Sequence, residues 1–333
     1  GMLNTAVGWG ALKTSTTAES NTAVGLSAGL SITTGNYNTI LGSYTADAIT
    51  TGADNVAIGV YALTAATTGV KNIAIGRSSG EALTTGGTNV AVGYGALATT
   101  TTTNDNTAVG AYALSANTAT GNTAFGSDAL RANTSGNNNL ACGQNTLKVN
   151  TTGANNTAVG TNALDSNTTG TQSVAIGTNA MAAITTASNA VAIGYNAGAS
   201  TTAGQYVLIG AKCGPIATSV AGPVGIGYEV FQYLTTGAYN TAIGQQSMNR
   251  ITTGGYNTAY GAFSLMYAQT ASYNTAVGYK ALGNDTVTGS NNTGIGSWAL
   301  RDLTSGAENT AIGYKSGYAI TSGGYNTAIG NES

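Results

Sequence analysis

A 17-residue period runs through the whole chain and leaves it few ways to fold. A short apolar step, most often Ala-Val-Gly or Ala-Ile-Gly, closes on Gly8, Gly25, Gly42, Gly59, Gly76, Gly93, Gly110, Gly126, Gly143, Gly160, Gly177, Gly194, Gly210, Gly227, Gly244, Gly261, Gly278, Gly296, Gly313 and Gly330. Of the nineteen intervals sixteen are 17 residues, two are 16 and one is 18. A period this short and strict predicts a solenoid with one coil per repeat.

Within a repeat the pattern is Asn-Thr-Ala-Val-Gly-x-x-Ala-Leu followed by a spacer that commonly ends Thr-Thr-Gly, as in Asn156 through Gly160 and Leu164 to Gly170. The first piece is too short for a helix and carries β-branched residues at alternate positions, which predicts a strand of about five residues. The marker glycine and the glycine of Thr-Thr-Gly suit two corners. The Ala-Leu pair is expected on a second short strand or extended segment. One coil cannot bury enough apolar surface alone, so about 20 coils should stack in parallel register into a rod roughly 95 Å long at the strand spacing. The predicted class is therefore an all-β parallel solenoid. The repeat phase holds from residue 4 to 330, which predicts a single continuous domain over 1–333.

Stacking turns each repeat position into a column. The Val/Ile column (Val7, Val24, Leu41, Ile58, Ile75, Val92 and onward to Ile329) and the Leu column (Leu12, Leu63, Leu97, Leu114, Leu130, Leu147, Leu164) are the expected coil interior. The Ala column (Ala6, Ala23, Ala57, Ala74, Ala91, Ala108, Ala124) then falls on the outer face of the first strand. Alanine there is either simply tolerated or marks where neighbouring chains pack, since a strand apolar on both faces expects cover on both.

Composition narrows the function. Only 7% of residues are charged, the net charge is −2 and there is no histidine. That removes the commonest general base and metal ligand. The twelve carboxylates are scattered in phase, and no aspartate-rich calcium repeat appears. The glycine spacing recurs in every coil, so corners explain it without a phosphate-binding fingerprint. The ten dispersed Lys and Arg do not outline a nucleic-acid groove, and no apolar run reaches the roughly 20 residues that span a bilayer. A non-enzyme with no cofactor and no metal is expected.

Ser-Val-Ala-Ile-Gly at 173–177, Ala-Val-Ala-Ile-Gly at 190–194 and the many Asn-Thr-Ala-Val-Gly-x-x-Ala units resemble the head repeats of trimeric autotransporter adhesins, a left-handed parallel β-roll. They are also similar to repeats in phage and other viral tail fibres, where they form trimeric shafts. The resemblance covers nearly the whole chain and implies a left-handed homotrimer, extracellular on a bacterial surface or virion, with a cell-surface glycan or protein receptor as partner. The period of 17 is longer than usual in such heads, which implies a longer outer loop per coil in the Thr-Thr-Gly spacer. Within residues 1–333 no stretch reads as a coiled-coil stalk or membrane anchor. Nothing in the resemblance names the ligand.

Several columns are candidates for more than packing. Asn stands four before the marker glycine in sixteen of twenty repeats; stacked amides form a hydrogen-bonded ladder, while sequons such as those at Asn133 and Asn167 offer glycosylation instead. The Thr-Thr pairs (Thr33-Thr34, Thr50-Thr51, Thr67-Thr68 and others) could order water as an ice-binding surface, although adjacent extended residues point to opposite sides. Tyrosine, with 18 residues against three Phe and two Trp, is the favoured contact residue. Tyr239, Tyr256 and Tyr273 share a phase just before the Asn column, with Tyr37 and Tyr325 in that phase elsewhere. They should stack into a strip for glycan or protein, or a ladder that steadies the rod. Tyr94, Tyr195, Tyr228, Tyr279 and Tyr314 follow a marker glycine but are scattered.

Three local features complete the reading. Cys142 takes a Val/Ile phase and Cys213 a small-residue phase; both are expected as small buried hydrophobes. An irregular segment at about 204–233 holds Pro215 and Pro223, loses the Asn column at Tyr206 and Pro223, and has Gly225 for Ala, so local unpairing, a bend or an outward loop is expected there, with the rod continuous through it. The chain opens and closes on a repeat, which fits a piece of a longer protein or coils that stack end to end into a filament.

Overall fold

The computed structural model describes residues 3–202, 204–216, 221–283 and 286–333. They fall into two units, one ending at Gly170 and one beginning at Thr171, and each is a parallel β-solenoid. The first contains ten three-residue strands from β1 (Thr5–Val7) to β10 (Thr157–Val159), the second ten more from β11 (Val174–Ile176) to β20 (Thr327–Ile329). Within each unit every strand pairs in parallel with the next, one repeat apart: Ala6 lies opposite Ala23, and Ala311 opposite Ala328. There is no helix among the described residues.

Each coil has one strand where two were expected. The Ala-Leu segment is a run of tight turns, because alternate residues sit in left-handed backbone: in the Gly160 coil Asn162 has φ 57° and Leu164 φ 52°. The amide of Ala163 closes a turn on the Gly160 carbonyl at 3.1 Å, while the amide of Leu147 donates to the Ala163 carbonyl of the neighbouring coil at 3.1 Å. Left-handed backbone costs a leucine about 1–2 kcal/mol, and the buried Leu side chain offsets it. The sequence did carry this signal, since glycine replaces the leucine at Gly29, Gly80, Gly198, Gly214 and Gly317, with φ 52–60°. At the marker positions the need is absolute: Gly76 has φ +128°, and a Cβ there would lie 2.7 Å from the Gly93 carbonyl oxygen.

The strand faces are the reverse of the expected arrangement. Ala74 at the strand centre is 1% exposed, and Ile75 beside it is 37% exposed. The Ala column is the coil interior, and the Val/Ile column points outward together with the Thr/Val residues two positions earlier. The cause is the Asn column. Strand side chains alternate, so the residue four before the marker shares a side with the Ala two before it, and Asn55, Asn72 and Asn106 are buried. Asn72 Nδ2 donates to the Gly86 carbonyl at 2.9 Å and to Asn55 Oδ1 at 3.2 Å, and its backbone amide donates to the same Oδ1 at 3.0 Å. Those turn carbonyls lie inside the coil, so the amide must be inside, and Ala follows it.

In three places the core trades volume between the strand centre and the Leu column. Where Ile40 replaces Ala, its Cδ1 lies 2.9 Å from the Cβ that Gly29 lacks. Leu208 faces Gly214 in the same way. Gly225 makes room for Phe231, whose ring would lie 2.9 Å from an added Cβ. At these three places large meets small, as a close-packed interior requires.

That trade also accounts for much of the 204–233 segment. Strands Val207–Ile209 and Val224–Ile226 keep parallel register with both neighbours, so no unpairing occurs there; residues 217–220 lie outside the described residues. In regular coils the amide four before the marker donates to the preceding Asn. Tyr206 cannot accept that bond, and Pro223 removes the amide that would have needed it, while its carbonyl still accepts from Val207 at 3.0 Å. Tyr206 itself is 3% exposed.

The ladder predicts its own mutational cost. Asn72→Ala strips the acceptor from the amide and Nδ2 of Asn89 and the donor from Gly86. It should cost roughly 2–4 kcal/mol, measured by chemical denaturation, as expected for buried groups left unpaired.

Candidate functional site

The predicted tyrosine strip exists. Tyr239, Tyr256 and Tyr273 sit at a corner with φ 56–59°, each amide bonded to the preceding coil, and all three are more than half exposed. Ring centroids are 5.2 Å apart for Tyr239–Tyr256 and 5.0 Å for Tyr256–Tyr273, the latter pair nearly parallel at 4°. Stacking covers the ring faces and leaves edges and hydroxyls to solvent. Tyr239 also packs over Gly222, where a Cβ would be 3.3 Å from its ring. Tyr37 and Tyr325 are exposed and take no part in this stack.

A larger aromatic group lies at another corner of the second unit, and the sequence reading missed it. Two residues after the marker, successive coils alternate ring and cation: Phe263, Lys280, Trp298, Lys315. Lys280 Nζ lies 5.9 Å from the Phe263 ring centroid, 5.6 Å from Tyr279 and 5.5 Å from Trp298. Arg301 lies 4.9 Å from both Trp298 and Tyr318, and these two rings stack at 6.2 Å. Arg250 bridges Tyr233 and Tyr267 at 5.6 Å each. A shallow cleft of 240 Å³ between Phe263, Tyr267, Tyr279 and Lys280 opens on this corner. The alternation is visible only when one column is followed across coils, since no single residue type marks it.

The other candidates sort by burial. Asn117, Asn133 and Asn167 are 0–1% exposed, and with Asn150 they form a second inner ladder at 2.7, 2.7 and 2.8 Å. Their side chains are turned away from any glycosylating enzyme. In the spacers the first threonine hydroxyl donates to the next coil's carbonyl, as from Thr33 to Thr50 at 3.2 Å and from Thr50 to Thr67 at 3.2 Å. Only the second threonine of each pair is left exposed at Thr34, Thr51, Thr68 and Thr85. The two cysteines differ, against expectation. Cys142 is exposed because it belongs to the outward column, and Cys213 is buried. Burial pushes the Cys213 thiol up to about 12.

Among the described residues no three His, Cys, Asp or Glu side chains gather as a metal site, and no helix is long and apolar enough to cross a membrane. Compared with protein-family models, curated proteins and solved structures, the chain matches none of them.

In the single chain a thiol reagent should modify Cys142 and spare Cys213 until unfolding. The Cys213 contribution to stability should be intact below the ordinary thiol value of 9.0 and fall as pH rises toward about 12, because only the unfolded thiol ionises in that window. Tyr256→Ala, which removes both ring pairs, should lower stability by about 1–2 kcal/mol in thermal unfolding.

Proposed function

We propose that the chain is a segment of a non-enzymatic, left-handed, homotrimeric fibre that holds a surface-binding function away from its carrier. An adhesin head and a phage or viral tail-fibre shaft both fit this role, with an extracellular location on a bacterial surface or virion. One observation carries the reading. In both units every coil turns two residues of its strand outward in register, giving a flat face of Val, Ile and Thr such as Val56, Ile58, Ile73 and Ile75 in the first and Val191 and Ile193 in the second. Parallel sheets are normally covered on both faces, and contiguous exposed apolar residues mark interaction surfaces. Three identical faces around an axis would cover one another. The packing surface is thus the Val/Ile face, in place of the Ala face. The strip Tyr239, Tyr256, Tyr273 is a candidate contact for a glycan or protein receptor.

A second reading rests on the same face. Thr107 and Val109 point to one side of a strand, so Thr-x-Val rows could order water in a way the Thr-Thr spacers cannot. A monomer with that face free would be an ice-binding solenoid.

Light scattering decides between them. A mass three times the 32.7 kDa of one chain, with Cys142 protected from alkylation, is the expected result. Ile75→Asp combined with Ile243→Asp, which opposes like charges across the packed faces, should shift the mass toward one chain and expose Cys142. A single-chain mass for the unmutated protein overturns the fibre, and thermal hysteresis in that case would favour ice binding.

A further inference from the structure

We propose that the aromatic and cationic corner of the second unit is a binding site for an anionic saccharide, one whose sugars carry carboxylate or sulfate groups at intervals. The assignment uses different residues from the packing face and does not depend on how many chains assemble.

The concentration of residues is the first ground. The chain has ten Lys and Arg in 333 residues, and Arg250, Lys280, Arg301 and Lys315 all fall on this corner. Each lies over two or three rings. The rings hold the cations at fixed heights along the coil stack, which removes much of the side-chain entropy that a surface lysine would lose on binding. Among the described residues Lys280 and Arg250 make no ion pair with a carboxylate, whereas Lys315 is paired with Glu332 at 3.3 Å and Arg301 with Asp302 at 3.3 Å. The site therefore retains free positive charge within a chain of net charge −2.

The second ground is shape. Tyr233, Tyr279 and Tyr314 are each more than 40% exposed, and the cleft beside Lys280 gives a concave seat. Exposed ring surface suits the C–H faces of pyranoses, and the tyrosine and indole polar tips suit their hydroxyls. From the coil of Tyr233 to that of Tyr318 is five coil steps, about 24 Å at the strand spacing, which accommodates an oligosaccharide lying along the stack.

Charge spacing selects the ligand class. Lys280 and Lys315 are two coils apart, about 10 Å, whereas a nucleic-acid strand presents a phosphate about every 3.4 Å and binds through many simultaneous neutralisations. Sparse cations interleaved with rings match a polymer with sparse anions. The uncharged Tyr239, Tyr256 and Tyr273 stack, its faces covered by its own neighbours, lacks this chemistry.

The test is calorimetric titration of the full chain with oligogalacturonate and with dextran sulfate, against neutral dextran and an oligo-dT strand. Binding of at least one anionic saccharide, absent for dextran and weakened by salt, is expected. Lys280→Gln and Trp298→Ala should each reduce affinity about tenfold, Lys280→Arg should restore it, and the thermal midpoint should report that the variants remain folded. Arg131→Gln removes a cation lying 5.1 Å over Tyr112 in the first unit and should leave affinity unchanged. No binding of either anionic saccharide, equal weakening by Arg131→Gln, or tighter binding of oligo-dT would overturn the assignment.

Discussion

The buried asparagine ladder sets the direction of every strand it touches. An amide four before the marker glycine is useful only where it can reach both the Asn of the preceding coil and a turn carbonyl, and the 2.9 Å bond from Asn72 to Gly86 places that carbonyl inside. Strand alternation then puts Ala inside and the β-branched pair outside. A leucine interior is supplied by the turn instead, which is why Leu residues such as Leu114 and Leu164 accept left-handed backbone to stay buried. The polar ladder thus decides where the apolar residues go, the reverse of the usual order of influence.

With the interior narrow and shared by Asn, Ala and Leu, volume becomes the second constraint. Ile40 with Gly29, Leu208 with Gly214 and Phe231 with Gly225 keep each cross-section filled. The same logic covers Tyr206 and Pro223, where loss of the ladder acceptor in one coil accompanies loss of the donor in the next. These departures, which look like decay of the repeat, are paired substitutions.

Outside, the coil has two kinds of surface. The strand face carries a column of Thr or aliphatic residues beside one that is mostly Val and Ile, with Phe125, Cys142 and Tyr260 among the exceptions. The corners vary from coil to coil, since a residue two after the marker can be Lys280, Trp298 or Lys315 with no consequence for the interior. Recognition chemistry can therefore change along the corner while the scaffold remains constant. The tyrosine stack and the cation-bearing corner are two such local variations.

The 17-residue spacing alone determined the parallel solenoid, its register and its columns, because identical residues at a fixed interval can only stack. The tyrosine strip was legible for the same reason. Tertiary structure alone decided which side of each column is inside. Ala and Val alternate equally well either way, and the choice was made by hydrogen bonds from Asn to carbonyls fourteen residues later, which no local pattern displays. It also decided that Leu164 lies in a turn with φ 52° and that Cys142 is exposed while Cys213 is buried. Each of those outcomes depends on what the neighbouring coil places opposite, and a neighbour 17 residues away is adjacent only after the chain has closed its coil.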